Sequence, residues 1–77
     1  MSETLSRVVA VTSRILQVDQ SKIEPKSCFY DNLGATSLDR LELTMAMEEE
    51  FNIFIEDADM EGVDSIEQAV AMVDGKL

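Results

Sequence analysis

The chain contains no histidine, no tryptophan and a single cysteine, Cys28, in 77 residues. Without imidazole, the commonest general base is missing, and a Ser-His-acid triad cannot be assembled. One cysteine excludes an intrachain disulfide, and Cys28 beside Phe29 reads as a small buried filler. A tetrahedral zinc site would have to rely on carboxylates, a poor donor set for that ion, so no metal centre is expected. No apolar run reaches the roughly 18–20 residues that a membrane span needs. The opening segment, MSETLSRVVAVTSRIL, lacks the basic-then-apolar layout of a signal peptide. Membrane insertion is therefore not expected, and the cytoplasm is the default compartment. The length allows one small domain, 1–77, which buries roughly 60–65% of the surface its unfolded chain exposes. That leaves little room for a catalytic cleft, and an enzyme built on paired carboxylates has no base cluster to work with.

Positive charge is scarce too: 6 bases stand against 16 acids, a net charge of −10. Residues 1–26 hold Arg7, Arg14, Lys22 and Lys26 against Glu3, Asp19 and Glu24. Residues 27–77 hold the other thirteen acids, with only Arg40 and Lys76 to offset them. Such a surface repels nucleic acid and anionic lipid and steers basic protein patches toward itself.

The apolar pattern is helical. Leu5, Val8, Val9, Thr12, Ile15 and Leu16 recur at helical spacing and predict an amphipathic helix over 3–17, with Ser2 as its N-cap. Its β-branched residues weaken intrinsic helicity, so packing must hold it. The stretch 18-VDQSKIEPKSCFYDNLGAT-36 has no sustained period and carries the one proline. It reads as a long loop, pinned by Ile23, Phe29 and Leu33, with a turn at Asp31–Gly34. A second helix is predicted over 36–51, and a short one near Asp57–Glu61, stopped by Gly62. A last helix over 65–74 starts on the capping-box pattern at Asp64–Glu67, shows Ile66, Ala69, Val70 and Val73 on one stripe, and ends at Gly75. The expected fold class is all-α: a small four-helix bundle, three main helices plus one short helix, with a long first loop.

The second helix is apolar on two sides. On a wheel of about 100° per residue, Leu43, Ala46, Met47 and Phe51 form one broad stripe, suited to the core. Leu38, Leu41 and Met45 fall on the opposite side, with Glu42 and Glu49 on one flank and Glu48 on the other. Either the long loop or the short helix covers this second stripe, or it is a docking surface. Left exposed, it forgoes roughly 1.5–3 kcal/mol of burial per side chain, and such patches rimmed by polar groups tend to mark protein–protein sites.

Thr36-Ser37-Leu38-Asp39 fits the helix-start pattern, with Thr36 as N-cap and Asp39 completing the box. Ser37 is then the first helical residue. As a nucleophile it has no base. As a target it is exposed on the first turn beside the Gly34 turn; an attached anion sits at the positive end of the helix dipole but is opposed by the nearby Asp31 and Asp39 carboxylates, so the dipole makes the site compatible and no more.

The stretch 33-LGATSLDRLELTMAMEEEF-51 resembles the signature of the acyl carrier proteins, in which a Gly-x-Asp-Ser-Leu core opens an acidic helix. The likeness runs on through 55-IEDADMEGVDSIEQAVAMV-73. The sequence departs from it at Thr36, where the family usually has Asp, at Arg40, and at Glu56, where proline is common. The resemblance implies a four-helix domain that is not itself an enzyme, expected as a monomer. It implies 4′-phosphopantetheine on Ser37, transferred from coenzyme A by a carrier-protein synthase. Acyl intermediates ride as thioesters on that arm to acyl-transferring and acyl-modifying enzymes with basic docking patches. Those enzymes belong to fatty-acid, polyketide or related lipid biosynthesis. The matching recognition helix implicates Leu38, Leu41, Glu42, Met45, Glu48 and Glu49. Sequestration of the acyl chain between helices would involve Leu43, Met47, Phe51, Ile55, Val63 and Ile66. The alternative is an acidic helical module that binds a basic partner without a prosthetic group.

Overall fold

Three of the four helices start where a side chain accepts one of their free N–H groups. In the computed structural model, which describes residues 2–77, Ser2 Oγ accepts the Leu5 N–H at 3.1 Å and opens α1, Glu3–Leu16. Its core face is Val8, Val9, Val11 and Thr12. The buried Thr12 hydroxyl donates to the Val8 carbonyl at 2.8 Å, so burial leaves no polar atom without a partner there. Gln17, in the left-handed region at φ 56°, ends the helix.

Residues 17–36 form the expected long connection, and it is ordered by three devices. A single 3-10 turn, Gln20–Lys22, is capped by Asp19, whose carboxylate accepts the Ser21 N–H at 2.9 Å. That bond holds the Asp19 carboxyl below its ordinary range. Ile23 and Phe29 are buried, while Leu33 is only half-buried against the core. Finally, the loop pairs with the start of the last helix. Phe29 N–H donates to Asp64 O at 2.9 Å, Ile66 N–H to Ser27 O at 3.0 Å, and Glu67 N–H to Pro25 O at 2.8 Å. Two of that helix's free N–H groups are thus taken by loop carbonyls. Cys28 departs from the expected buried filler: it is half-buried, and its backbone carries the isolated antiparallel bridge to Ser65.

The second helix, α2, runs Ser37–Phe51 and ends on Asn52 at φ 53°. The short α3 is Asp57–Met60, followed by Gly62 at φ 78°, and α4 is Ile66–Asp74. The box that opens α4 is shifted by one residue from the sequence expectation. Ser65 is the N-cap and Gln68 its partner; the Gln68 Oε1 accepts the Ser65 N–H at 3.0 Å. Gly75 does end α4, but in the right-handed region at φ −67°, so its conformational freedom is not what stops the helix.

Helix α1 packs on both α2 and α4, and α3 leans on α4. One core cluster joins Val8 and Val11 of α1, Leu43 and Met47 of α2, Met60 of α3, and Ile66, Ala69 and Val73 of α4. The four helices and the absence of any strand among the described residues agree with the expected small all-α bundle. Arg7 closes its α1–α2 edge: Nε donates to Glu50 Oε2 at 2.8 Å, Nη2 to the Glu50 carbonyl at 2.5 Å, and the guanidinium lies 4.5 Å above the Phe51 ring.

The serine-led helix as candidate functional site

The site begins with the cap. Thr36 Oγ1 accepts the Asp39 N–H at 3.1 Å, and Asp39 Oδ2 accepts the Thr36 N–H at 3.0 Å. This reciprocal pair fixes where α2 starts and makes Ser37 its first residue. Ser37 is exposed. The turn before it passes through Gly34 at φ 70°, where a side chain is strained, and a Cβ added there would meet nothing within 4 Å. The hydroxyl therefore stands on open ground, reachable by a large partner, at the N-terminal end of the α2 dipole.

The two sides of α2 separate as the wheel predicts. Leu43, Ala46, Met47 and Phe51 are buried. Leu38, Leu41 and Met45 keep 65%, 58% and 57% of their surface exposed, so neither the long loop nor α3 covers them. Glu42 and Glu49 lie exposed beside this stripe, and among the described residues neither takes part in an ion pair. Glu48 differs. It is half-buried, and its Oε2 accepts the Ile55 N–H at 2.9 Å, so it braces the chain after α2 as well as flanking the stripe. The six residues implicated in acyl sequestration, Leu43, Met47, Phe51, Ile55, Val63 and Ile66, all lie buried in the one core cluster.

Two grooves border the exposed stripe. One, of about 590 Å³, begins at Ser37 and runs between α2 and α3, past Arg40, Leu41, Thr44 and Met60. The other, of about 330 Å³, lies between α1 and α2 and brings Arg14 beside Glu42, Met45 and Glu49. The acidic fringe is thus interrupted by one base from α1, a neighbour that spacing within α2 could not reveal. Sequence reasoning also missed Phe54, whose ring is 70% exposed after α2. In Ile53-Phe54-Ile55 all three residues are apolar, and nothing in the pattern says which one faces water.

Arg40 is not a free surface charge. Its Nη2 donates to the Met60 carbonyl at 2.6 Å, and its guanidinium lies 5.7 Å from the centre of the Tyr30 ring. On the far side of α3, Lys76 Nζ lies 2.8 Å from Asp59 Oδ2. That contact, followed by the bond from the Glu56 N–H, holds the Asp59 carboxyl below its ordinary value of 3.8.

The sequence of known proteins supplies the remaining link. A family model described as "Phosphopantetheine attachment site" matches residues 6–73. An acyl carrier protein of Cyanidioschyzon merolae is 46% identical over 68 residues, 88% of this chain and 75% of its own length. One from Phenylobacterium zucineum is 42% identical over 77 residues, 100% of this chain and 98% of its own. One from Cyanidium caldarium is 40% identical over 75 residues, 97% of this chain and 87% of its own. Likeness of that breadth, falling on a bundle whose exposed serine heads a two-sided helix, makes this chain a member of the acyl carrier protein family.

Proposed function

We propose that Ser37 bears the 4′-phosphopantetheine arm of this carrier and that the exposed side of α2 presents it to partner enzymes. As an acyl carrier protein the chain is not an enzyme: it holds acyl groups as thioesters on an arm derived from coenzyme A. The observation that carries the Ser37 assignment is its place as the exposed first residue of α2, fixed there by the Thr36–Asp39 box. The group fits. Its phosphodiester would meet the N-terminal end of the α2 dipole, and no side chain from Gly34 stands in its way. When bound, the arm supplies the thiol that forms the thioester. The chain's own part is to keep the hydroxyl outward and the recognition face ordered.

Leu38, Leu41 and Met45 supply desolvation energy on docking, and Glu42 and Glu49 favour a partner with a basic patch. Met45 suits a face that must meet several enzymes, because its unbranched thioether side chain adapts to different surfaces. Those partners are the carrier-protein synthase and the acyl-handling enzymes of fatty-acid, polyketide or related lipid assembly. The cytoplasm is the proposed setting. Among the described residues no helix is long and apolar enough to cross a membrane.

The test is direct. The protein is incubated with coenzyme A and a broad-specificity phosphopantetheinyl transferase, then weighed intact. A gain equal to the arm, lost in Ser37→Ala, is the expected result. An unchanged mass in the parent protein, or a gain that survives Ser37→Ala, refutes the assignment.

A further inference from the structure

Among the residues that line the groove beginning at Ser37 there is one base. Arg40 shares it with Asp57 and Glu61, and among the described residues it pairs with neither carboxylate. Arg40 follows Ser37 on α2 at the i, i+3 spacing that sets two side chains beside each other on a helix surface. Its guanidinium is only partly used. Nη2 donates to the Met60 carbonyl at 2.6 Å, and no other Arg40 donor meets a protein acceptor among the described residues. No buried side-chain nitrogen or oxygen among those residues lacks a partner, so the remaining Arg40 N–H groups reach solvent. The Met60 carbonyl also accepts the Val63 N–H at 3.0 Å, so Arg40 can turn without leaving that oxygen unpaired. Lys76, the other base of residues 27–77, is already held 2.8 Å from Asp59.

We propose that Arg40 is the counter-charge of the arm: it receives the phosphodiester attached to Ser37. This rests on the carrier reading. A phosphodiester brings a lasting negative charge to a chain whose net charge is already −10. Asp39 shares the first turn of α2 with Ser37, and Asp57 and Glu61 line the groove, so the helix dipole works against three carboxylates. A guanidinium one turn along offsets them. Its planar fork can keep one nitrogen on the Met60 carbonyl and offer the others to phosphate oxygens, which a lysine ammonium, a point charge, does less well. So paired, Arg40 holds the root of the arm on the α3 side of the exposed stripe. Arg40 is a positioning residue and takes no part in making or breaking the thioester.

The test compares the full chain before and after the transferase and coenzyme A have modified it. By NMR, the Arg40 Nε–H should exchange with water about threefold more slowly once the arm is attached, the size expected of a partly exposed ion pair. The Arg14 Nε–H, on the other groove, is the control in the same sample and should keep its rate. In the modified protein, Arg40→Gln should move the phosphorus resonance of the arm, Arg40→Lys should return it part of the way, and Arg14→Gln should leave it in place. An Arg40 Nε–H whose rate is unchanged by modification, or slowed no more than that of Arg14, overturns the proposal. So does a phosphorus resonance that stays put in Arg40→Gln, moves equally in Arg14→Gln, or gains nothing back in Arg40→Lys, which would make the effect one of helix packing. Should Arg40→Gln not fold, the exchange rates of the parent protein decide alone. Intact mass keeps the two readings apart: an unmodified Ser37 brings down the carrier assignment and this proposal with it, whereas a modified Ser37 beside an unaltered Arg40 overturns the proposal only.

Discussion

Replacing Thr36 by Ala isolates the cap that makes Ser37 the first residue of α2. The variant loses the Thr36 Oγ1 acceptor of the Asp39 N–H but keeps its own backbone N–H, which can still donate to Asp39 Oδ2. Half of the capping box survives, and both groups lie near solvent, so the cost belongs near the middle of the range for such caps, about 1 kcal/mol. At roughly 2.1 cal/mol/K per residue, a domain of this size unfolds with an entropy of ~0.16 kcal/mol/K at its midpoint, which converts that cost to a fall of about 6 °C. Calorimetry at fixed salt reads it. Thr36→Asp provides the control, because Asp caps as well as Thr and favours the positive end of the dipole; it should melt within about 2 °C of the parent. If Thr36→Ala melted with the parent, the box would not be what fixes the start of α2, and the account of why Ser37 faces outward would fail. If Thr36→Asp melted as low as Thr36→Ala, repulsion from nearby carboxylates would outweigh capping and the electrostatic reasoning would be wrong.

Truncation in the core should cost stability, whereas truncation on the exposed side of α2 should not. Ile66→Val, at a residue with 0% exposure, should cost about 0.5–1.5 kcal/mol in urea unfolding. Leu41→Ala, on the exposed stripe, should stay within about 0.5 kcal/mol while weakening capture by a carrier-modifying enzyme; equal losses of stability would mean that the stripe is not free. The Asp59 carboxyl should titrate below 3.8 in the parent and move back up toward it in Lys76→Gln, followed by the NMR shift of its side-chain carbon. Because its folded value is lowered, the stability it contributes is fully present above 3.8 and disappears as pH falls through the lowered value. A titration unmoved by Lys76→Gln would show that the ion pair is not formed in solution.

The sequence by itself determined most of the helices and the polarity of α2, because these depend on neighbours within four residues. The Thr36–Asp39 box and the split of α2 into a Leu43, Ala46, Met47 and Phe51 side and a Leu38, Leu41 and Met45 side follow from helical spacing; that neither loop nor α3 covers the second side was decided by the tertiary structure. The same local rule fails where two candidates adjoin, as at the start of α4, where Ser65 rather than Asp64 takes the cap because its Oγ accepts the Gln68 N–H at 3.3 Å. Contacts between distant segments were decided only by the tertiary structure. The pairing of the long loop with the start of α4, the bracing of Ile55 by Glu48, Arg14 beside the acidic fringe, and Arg40 on the Met60 carbonyl each join residues that the sequence holds apart. No period encodes such partners. They come together because packing of the shared core around Val8, Leu43 and Ile66 fixes the helix positions first, and polar groups then take whichever partners that arrangement leaves within reach.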